Sequence, residues 1–180
     1  LAIAESLVAR LGADEWPRLD AAASLMVEAI AADRSIHAFG SGHSHMLAEE
    51  LFYRAGGLVA VRPILFDGLM LHHGAERSTA MERLPGLARI LLDDHRVAAG
   101  DVLVVASNSG GNAVTTELAA AAGERGLVVI AITSLRHATS ALARPVSGQR
   151  LHEIADLVVD NGGVPGDAGV SIAGAPHPVG

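Results

Sequence analysis

Apolar residues recur along the chain with two different periods. Helical spacing runs through residues 1–12 and 17–33, where Leu19, Ala22, Ala23, Met26 and Ile30 fall on one face and Pro17 suits a first turn. Strand-length apolar runs follow at Ile36–Phe39, Leu58–Leu65, Val102–Ala106, Leu127–Thr133 and Leu157–Asp160, the second of them ended or bent by Pro63. Between these runs the spacing predicts helices over His45–Ala55, about 77–84, Leu87–His95, Ala113–Arg125 and about 137–144. Strands alternating with helices imply one α/β domain over 1–180 with a mostly parallel sheet of about five strands. Residues 1–33 form leading helices, 36–160 the sheet core, and 161–180 an irregular tail rich in Gly and Pro. The leading helices either cover a face of the sheet or pair with a second copy, and the sequence does not choose.

The stretch 99–126 organises the rest. Val102–Ala106 reads as a buried strand, Ser107-Asn108-Ser109-Gly110-Gly111-Asn112 as a loop of small residues and hydroxyls, and Ala113–Arg125 as an Ala-rich helix. In that order the loop meets the unpaired N–H groups of a helix start, where the dipole favours an anion. Glycine lets the backbone approach closely, and the two serines and Asn112 each have a proton to donate. A phosphate fits this chemistry, although the same residues suit an ordinary βα turn capped by Ser109 or Asn112. No lysine follows in the pattern GxxxxGK[ST], so a nucleoside triphosphate is disfavoured.

A second loop of the same kind weighs toward a ligand. Gly40-Ser41-Gly42-His43-Ser44 also follows a strand and opens a helix. Both loops then lie at the carboxyl edge of a parallel sheet, where open α/β sheets bind ligands. The long irregular stretch 66–86, with Asp67, His72 and His73, lies between them, and loops of that length are often functional. Thr133 ends a strand on the same edge, and Asp160 and Asp167 flank a segment where turn chemistry is the simpler explanation.

Composition narrows the partners. A net charge of −7 without a basic stripe argues against direct nucleic-acid binding. No apolar run is long enough for a membrane span, no secretory signal is visible, and the absence of cysteine fits a reducing compartment, so the expected location is cytoplasmic.

Gly40–Ser44 and Ser107–Asn112, each between a strand and a helix, resemble the phosphate loops of the SIS (sugar isomerase) domain family. The resemblance covers nearly the whole chain. It implies a flavodoxin-like three-layer αβα sandwich with a five-stranded parallel sheet, a homodimer or homotetramer, and a sugar phosphate held at subunit edges; no cofactor or metal is expected for this chain. By position it implies that Ser107, Ser109 and Asn112 hold the phosphate. Ser44 would bind the phosphate or a sugar hydroxyl, and Gly42 and Gly110 would bring backbone close to the ligand.

Ala48-Glu49-Glu50-Leu51 resembles the A-E-E-L stretch of the phosphoheptose isomerase branch, which makes Glu50 the candidate general base for proton removal next to a carbonyl. Two departures stand out. The zinc-binding histidine that often precedes A-E-E-L is replaced by Met46-Leu47, leaving His45 and Glu49 at i, i+4, too few ligands for a metal. The family's last helix, which supplies a histidine or lysine to a neighbouring site, would begin about where the sequence ends at Gly180, so that helix is expected to be missing. Isomerisation, elimination of an ether substituent and non-catalytic sensing of a sugar phosphate all remain open at this level.

Overall fold

A computed structural model of the chain describes residues 1–143 and 148–179. Five strands, β1 (Ile36–Gly40), β2 (Val61–Ile64), β3 (Val102–Ala106), β4 (Val128–Thr133) and β5 (Leu157–Asp160), form one sheet in the order β2-β1-β3-β4-β5. Every pairing is parallel. Helices lie on both faces, as expected when strands are apolar on both sides.

Alternate residues of each strand feed two cores. On one face Phe39, Leu103, Val105, Val129 and Ala131 pack with Leu87, Leu91 and Leu92 of one helix (Leu87–Asp94) and with Val114, Leu118 and Ala122 of another (Ala113–Glu124). On the other, Ile36, Val102, Val104 and Ile130 pack with Ala29 and Met26 of a helix at Trp16–Ala31 and with Leu47 and Leu51 of a helix at His45–Leu51. In chain order these helices and the remainder are α1 (Ala2–Ala13), α2 (Trp16–Ala31), α3 (His45–Leu51), α4 (Ala75–Met81), α5 (Leu87–Asp94), α6 (Ala113–Glu124), α7 (Leu135–Ala138) and α8 (Leu151–Ile154). Of the two leading helices, α2 covers the sheet, whereas α1 buries no residue and is tied down by Arg10, which pairs with Asp160 and Glu15.

Three elements differ from the periodicity. α3 stops at Leu51 rather than continuing to Ala55, because Leu51 is the last residue to reach the sheet; Phe52 turns extended, and Tyr53 is 92% exposed. β2 starts at Val61, opposite Ile36, where β1 itself begins, so Leu58 and Val59 have no strand to pair with. Pro63 is tolerated because β2 is an edge strand. The helix expected over 137–144 is the single turn α7, capped by the Ser134 hydroxyl accepting from the His137 N–H; residue 144 lies outside the described residues.

The strand order reverses between β1 and β3. The chain leaves β1 toward β2 on one side and resumes at β3 on the other, so neighbouring strands send their carboxyl-end loops in opposite directions. That is the crevice where open α/β sheets take ligands.

Candidate functional site

β1 and β3 run in register, with Gly40 beside Ala106, so Ser41 and Ser107 leave the sheet side by side. Gly40 is required by close packing: a Cβ there would lie 2.3 Å from the Ser44 carbonyl oxygen. The chain then turns through Gly42, at φ +58°, into a short turn Gly42–Ser44 that leads straight into α3.

The second loop is braced from several directions. The Ser107 hydroxyl accepts from the Gly110 N–H at 3.1 Å, which leaves its own proton to donate. Gly110 also has φ +58°, and a Cβ there would meet Leu151 Cβ at 3.1 Å. Its carbonyl accepts from the Leu151 N–H at 2.8 Å, fastening the loop to α8. Arg150 donates to the Ser109 carbonyl at 3.3 Å and to the Ala143 carbonyl at 2.9 Å, setting a cation behind the loop. Thr133 is fully buried and donates to the Asn108 carbonyl at 3.2 Å, so its hydroxyl serves the loop. Asn112 precedes α6 without capping it through its side chain.

The two loops enclose a polar cleft of about 320 Å³. Ser41, His43 and Ser44 line it from the first loop; Ser107, Asn108, Ser109 and Asn112 line it from the second. Two carboxylates complete the wall, Glu82 and Asp167. Among the described residues lining it, none is Lys or Arg.

Of the residues singled out in the sequence, Ser44, Ser107, Ser109 and Asn112 come together here. Gly42 and Gly110 shape the two loops without lining the cleft. Glu50 is elsewhere: its side chain is 69% exposed and ion-paired with Arg54 one turn along. The rings of His72 and His73 lie outside the cleft, tilted at 51° with centroids 4.6 Å apart, and His72 is tilted against the His45 ring at 5.6 Å. His45 donates to the Gly42 carbonyl and approaches Glu49 at 3.7 Å. Among the described residues no group of three or more His, Cys, Asp or Glu is arranged to hold a metal ion. A separate hollow of about 390 Å³ at Phe52–Val61 is mainly apolar and shares no residue with the loops.

Glu82 and Asp167 were not legible as site residues. Glu82 follows α4, and its carbonyl accepts from the Val114 N–H at 3.1 Å, which joins the long 66–86 segment to the first turn of α6. Its carboxylate accepts from the Ser41 hydroxyl at 3.1 Å. Burial pushes the Glu82 carboxyl above its ordinary value, more than Ser41, the Arg83 charge and Asn112 together pull it down. Asp167 arrives from the tail. The Ser134 hydroxyl donates to the Gly163 carbonyl, and the Gly166 N–H donates to His137 at 2.7 Å. Asn108 accepts from the Asn161 amide and donates to the Asp167 carboxylate, both at 2.7 Å. The tail read as irregular is therefore a wall of the site.

Comparison with known proteins agrees with this architecture. A family model described as SIS domain matches residues 1–134. A UPF0309 protein of Listeria innocua is 48% identical over 147 residues, covering 82% of this chain and 60% of that protein. One from Brucella ovis is 46% identical over 163 residues, 91% of this chain and 66% of that protein. The chain thus spans about three fifths to two thirds of the length of these curated relatives. Among solved structures, phosphoheptose isomerase of Neisseria gonorrhoeae superposes with a TM-score of 0.58 at 27% identity, over 91% of this chain and 83% of that one. A phosphoheptose isomerase from Francisella tularensis shares the fold with a TM-score of 0.62 at 19% identity, over 92% and 83%. On the family match and this shared fold, the chain belongs to the SIS domain family.

Proposed function

We propose that the cleft binds a sugar phosphate and that the protein removes a proton next to the sugar's carbonyl, as an aldose–ketose isomerase or an etherase-type lyase does. The observation that carries this reading is the pair of hydroxyl-rich loops leaving adjacent strands where the strand order reverses, the second opening the twelve-residue helix α6. The phosphate sits over that opening turn, receiving hydrogen bonds from Ser107, Ser109 and Asn112, with Ser44 on the phosphate or a sugar hydroxyl. With no Lys or Arg among the described residues lining the cleft, its charge is met by N–H dipoles, hydroxyl donors and Arg150 behind the loop. The likeness at 27% identity to a phosphoheptose isomerase supports the reaction class.

Glu50, the base that the family resemblance nominates, is exposed and paired with Arg54 outside the cleft of its own chain. To act as base it would have to serve the cleft of a neighbouring copy in a homodimer or homotetramer. The same exposure favours the alternative, a sensor that binds a sugar phosphate without turnover. Calorimetry with hexose, heptose, amino-sugar and N-acetylmuramic acid phosphates tests the proposal. The parent binds at least one, Ser109→Ala weakens it, and a parent that binds none overturns the reading.

A further inference from the structure

Proton removal next to a carbonyl needs a carboxylate or similar base within hydrogen-bond reach of the carbon. Two carboxylates line the cleft of a single chain. Asp167 is exposed and engaged by the Asn108 amide. Glu82 is half-buried and is anchored at both ends: its backbone carbonyl is held by the first turn of α6, and its carboxylate by the Ser41 hydroxyl of the other loop, with Asn112 beside it. It therefore stands between the two loops, held in place by groups of each, and among the described residues no other charged side chain in the cleft has that position.

We propose that Glu82 is a catalytic residue of this site, the carboxylate that takes the proton from the carbon next to the carbonyl of the bound sugar phosphate. The inference rests on the reading of the cleft as a sugar phosphate site. In the step, the C–H bond breaks and its proton passes to a Glu82 carboxylate oxygen. The C–H electron pair forms the carbon–carbon double bond of an enediol, and the carbonyl π pair moves onto the carbonyl oxygen, which takes a proton from water. Isomerisation is completed when Glu82 returns its proton to the former carbonyl carbon. The electron pair of the double bond forms that new C–H bond, while the neighbouring hydroxyl loses its proton to water and becomes the new carbonyl. Ser41 acts as a positioning residue, fixing one carboxylate oxygen so that the other addresses the sugar. The phosphate's charge nearby favours the protonated carboxyl, which matches a group that must hold a proton during the reaction.

Solvent exchange in deuterated water, followed by NMR, tests this on fructose 6-phosphate, glucosamine 6-phosphate, sedoheptulose 7-phosphate and N-acetylmuramic acid 6-phosphate. Glu82→Gln, which keeps an acceptor for Ser41, slows exchange at the carbon next to the carbonyl on the order of a hundredfold or more while binding the same sugar phosphate within a few-fold. Glu82→Asp restores part of the rate, and the acidic limb of the parent's pH profile is absent from Glu82→Gln. A thermal melt shows that each variant is folded. Exchange by Glu82→Gln within threefold of the parent overturns the inference and leaves the sugar phosphate reading intact, as does a parent that binds one of these sugars and exchanges none. A parent that binds none of them overturns the reading of the cleft and the inference with it.

Discussion

The hydroxyl of Ser41 donates to the carboxylate of Glu82 across 3.1 Å, joining the first loop to the end of α4 and so to the start of α6. The contact does not fully offset burial, which leaves the Glu82 carboxyl above its ordinary 4.5. Between 4.5 and the raised folded value the unfolded chain has lost a proton that the folded chain keeps, so the contribution of Glu82 to stability falls as pH rises through that window. Glutamine does not titrate. The melting temperature of Glu82→Gln should therefore match the parent near about pH 4 and exceed it at pH 7–8, as read by scanning calorimetry.

In the proposed site Ser107 and Ser109 donate to the phosphate, and Arg150 holds the Ser109 carbonyl from behind. Truncating either serine to alanine should weaken sugar phosphate binding on the order of tenfold, the scale of one hydrogen bond to a charged group. Arg150→Ala should weaken it less, by a few-fold, with a reduced dependence on salt. Calorimetry at two ionic strengths separates these effects.

Asp167 brings a negative charge to the same cleft. Asp167→Asn keeps an acceptor for the Asn108 amide and removes that charge. Binding of a sugar phosphate should tighten by a few-fold, while binding of the unphosphorylated sugar should not change.

At the opposite end of the sheet His37 meets Asp101 at 3.0 Å, both buried. Burial holds His37 below its ordinary 6.5 despite the hydrogen bond and charge of Asp101, and the Arg62 and His95 charges act in the same direction as burial. Burial alone would raise Asp101, but the N–H groups of Ser35 and Ala98 and the His37 ring bring it below its ordinary 3.8. A lowered histidine supports stability that is present above about 6.5 and lost as pH falls through the folded value; a lowered aspartate supports stability lost below 3.8. In urea unfolding, His37→Gln should gain stability relative to the parent as pH falls from 7 to 5, because the variant has no histidine there to protonate. Asp101→Ala, which strands two backbone N–H groups and the ring, should cost about 3 kcal/mol at pH 7.

What was legible in the sequence is what is local in the chain. Val102–Ala106 and Leu157–Asp160 are found where the apolar runs put them, and Ser107, Ser109 and Asn112 meet Ser44 because each loop's place between strand and helix fixes it at one sheet edge. The end of α3 was not legible, because it depends on where the sheet stops offering a surface to Leu51 and Phe52. The strand at Val61–Ile64 is shorter than its apolar run because its extent is set by β1, some 25 residues earlier. Glu82 and Asp167 come to the cleft through contacts 41 and 59 residues away in the chain, with Ser41 and Asn108. Neither has a periodicity or a turn signature that announces a ligand. The length of the 66–86 segment was the one signal pointing toward Glu82.

In the proposed function a phosphate sits at the opening of α6 between the two loops. Backbone amide NMR during titration with a sugar phosphate from the calorimetric panel tests it most directly, with the unphosphorylated sugar alongside. The largest shifts are expected at Ser41–Ser44 and Ser107–Ala113 with the phosphorylated sugar, with little change there with the free sugar. Shifts centred on the hollow at Phe52–Val61, or equal shifts at the loops with and without the phosphate, would contradict it.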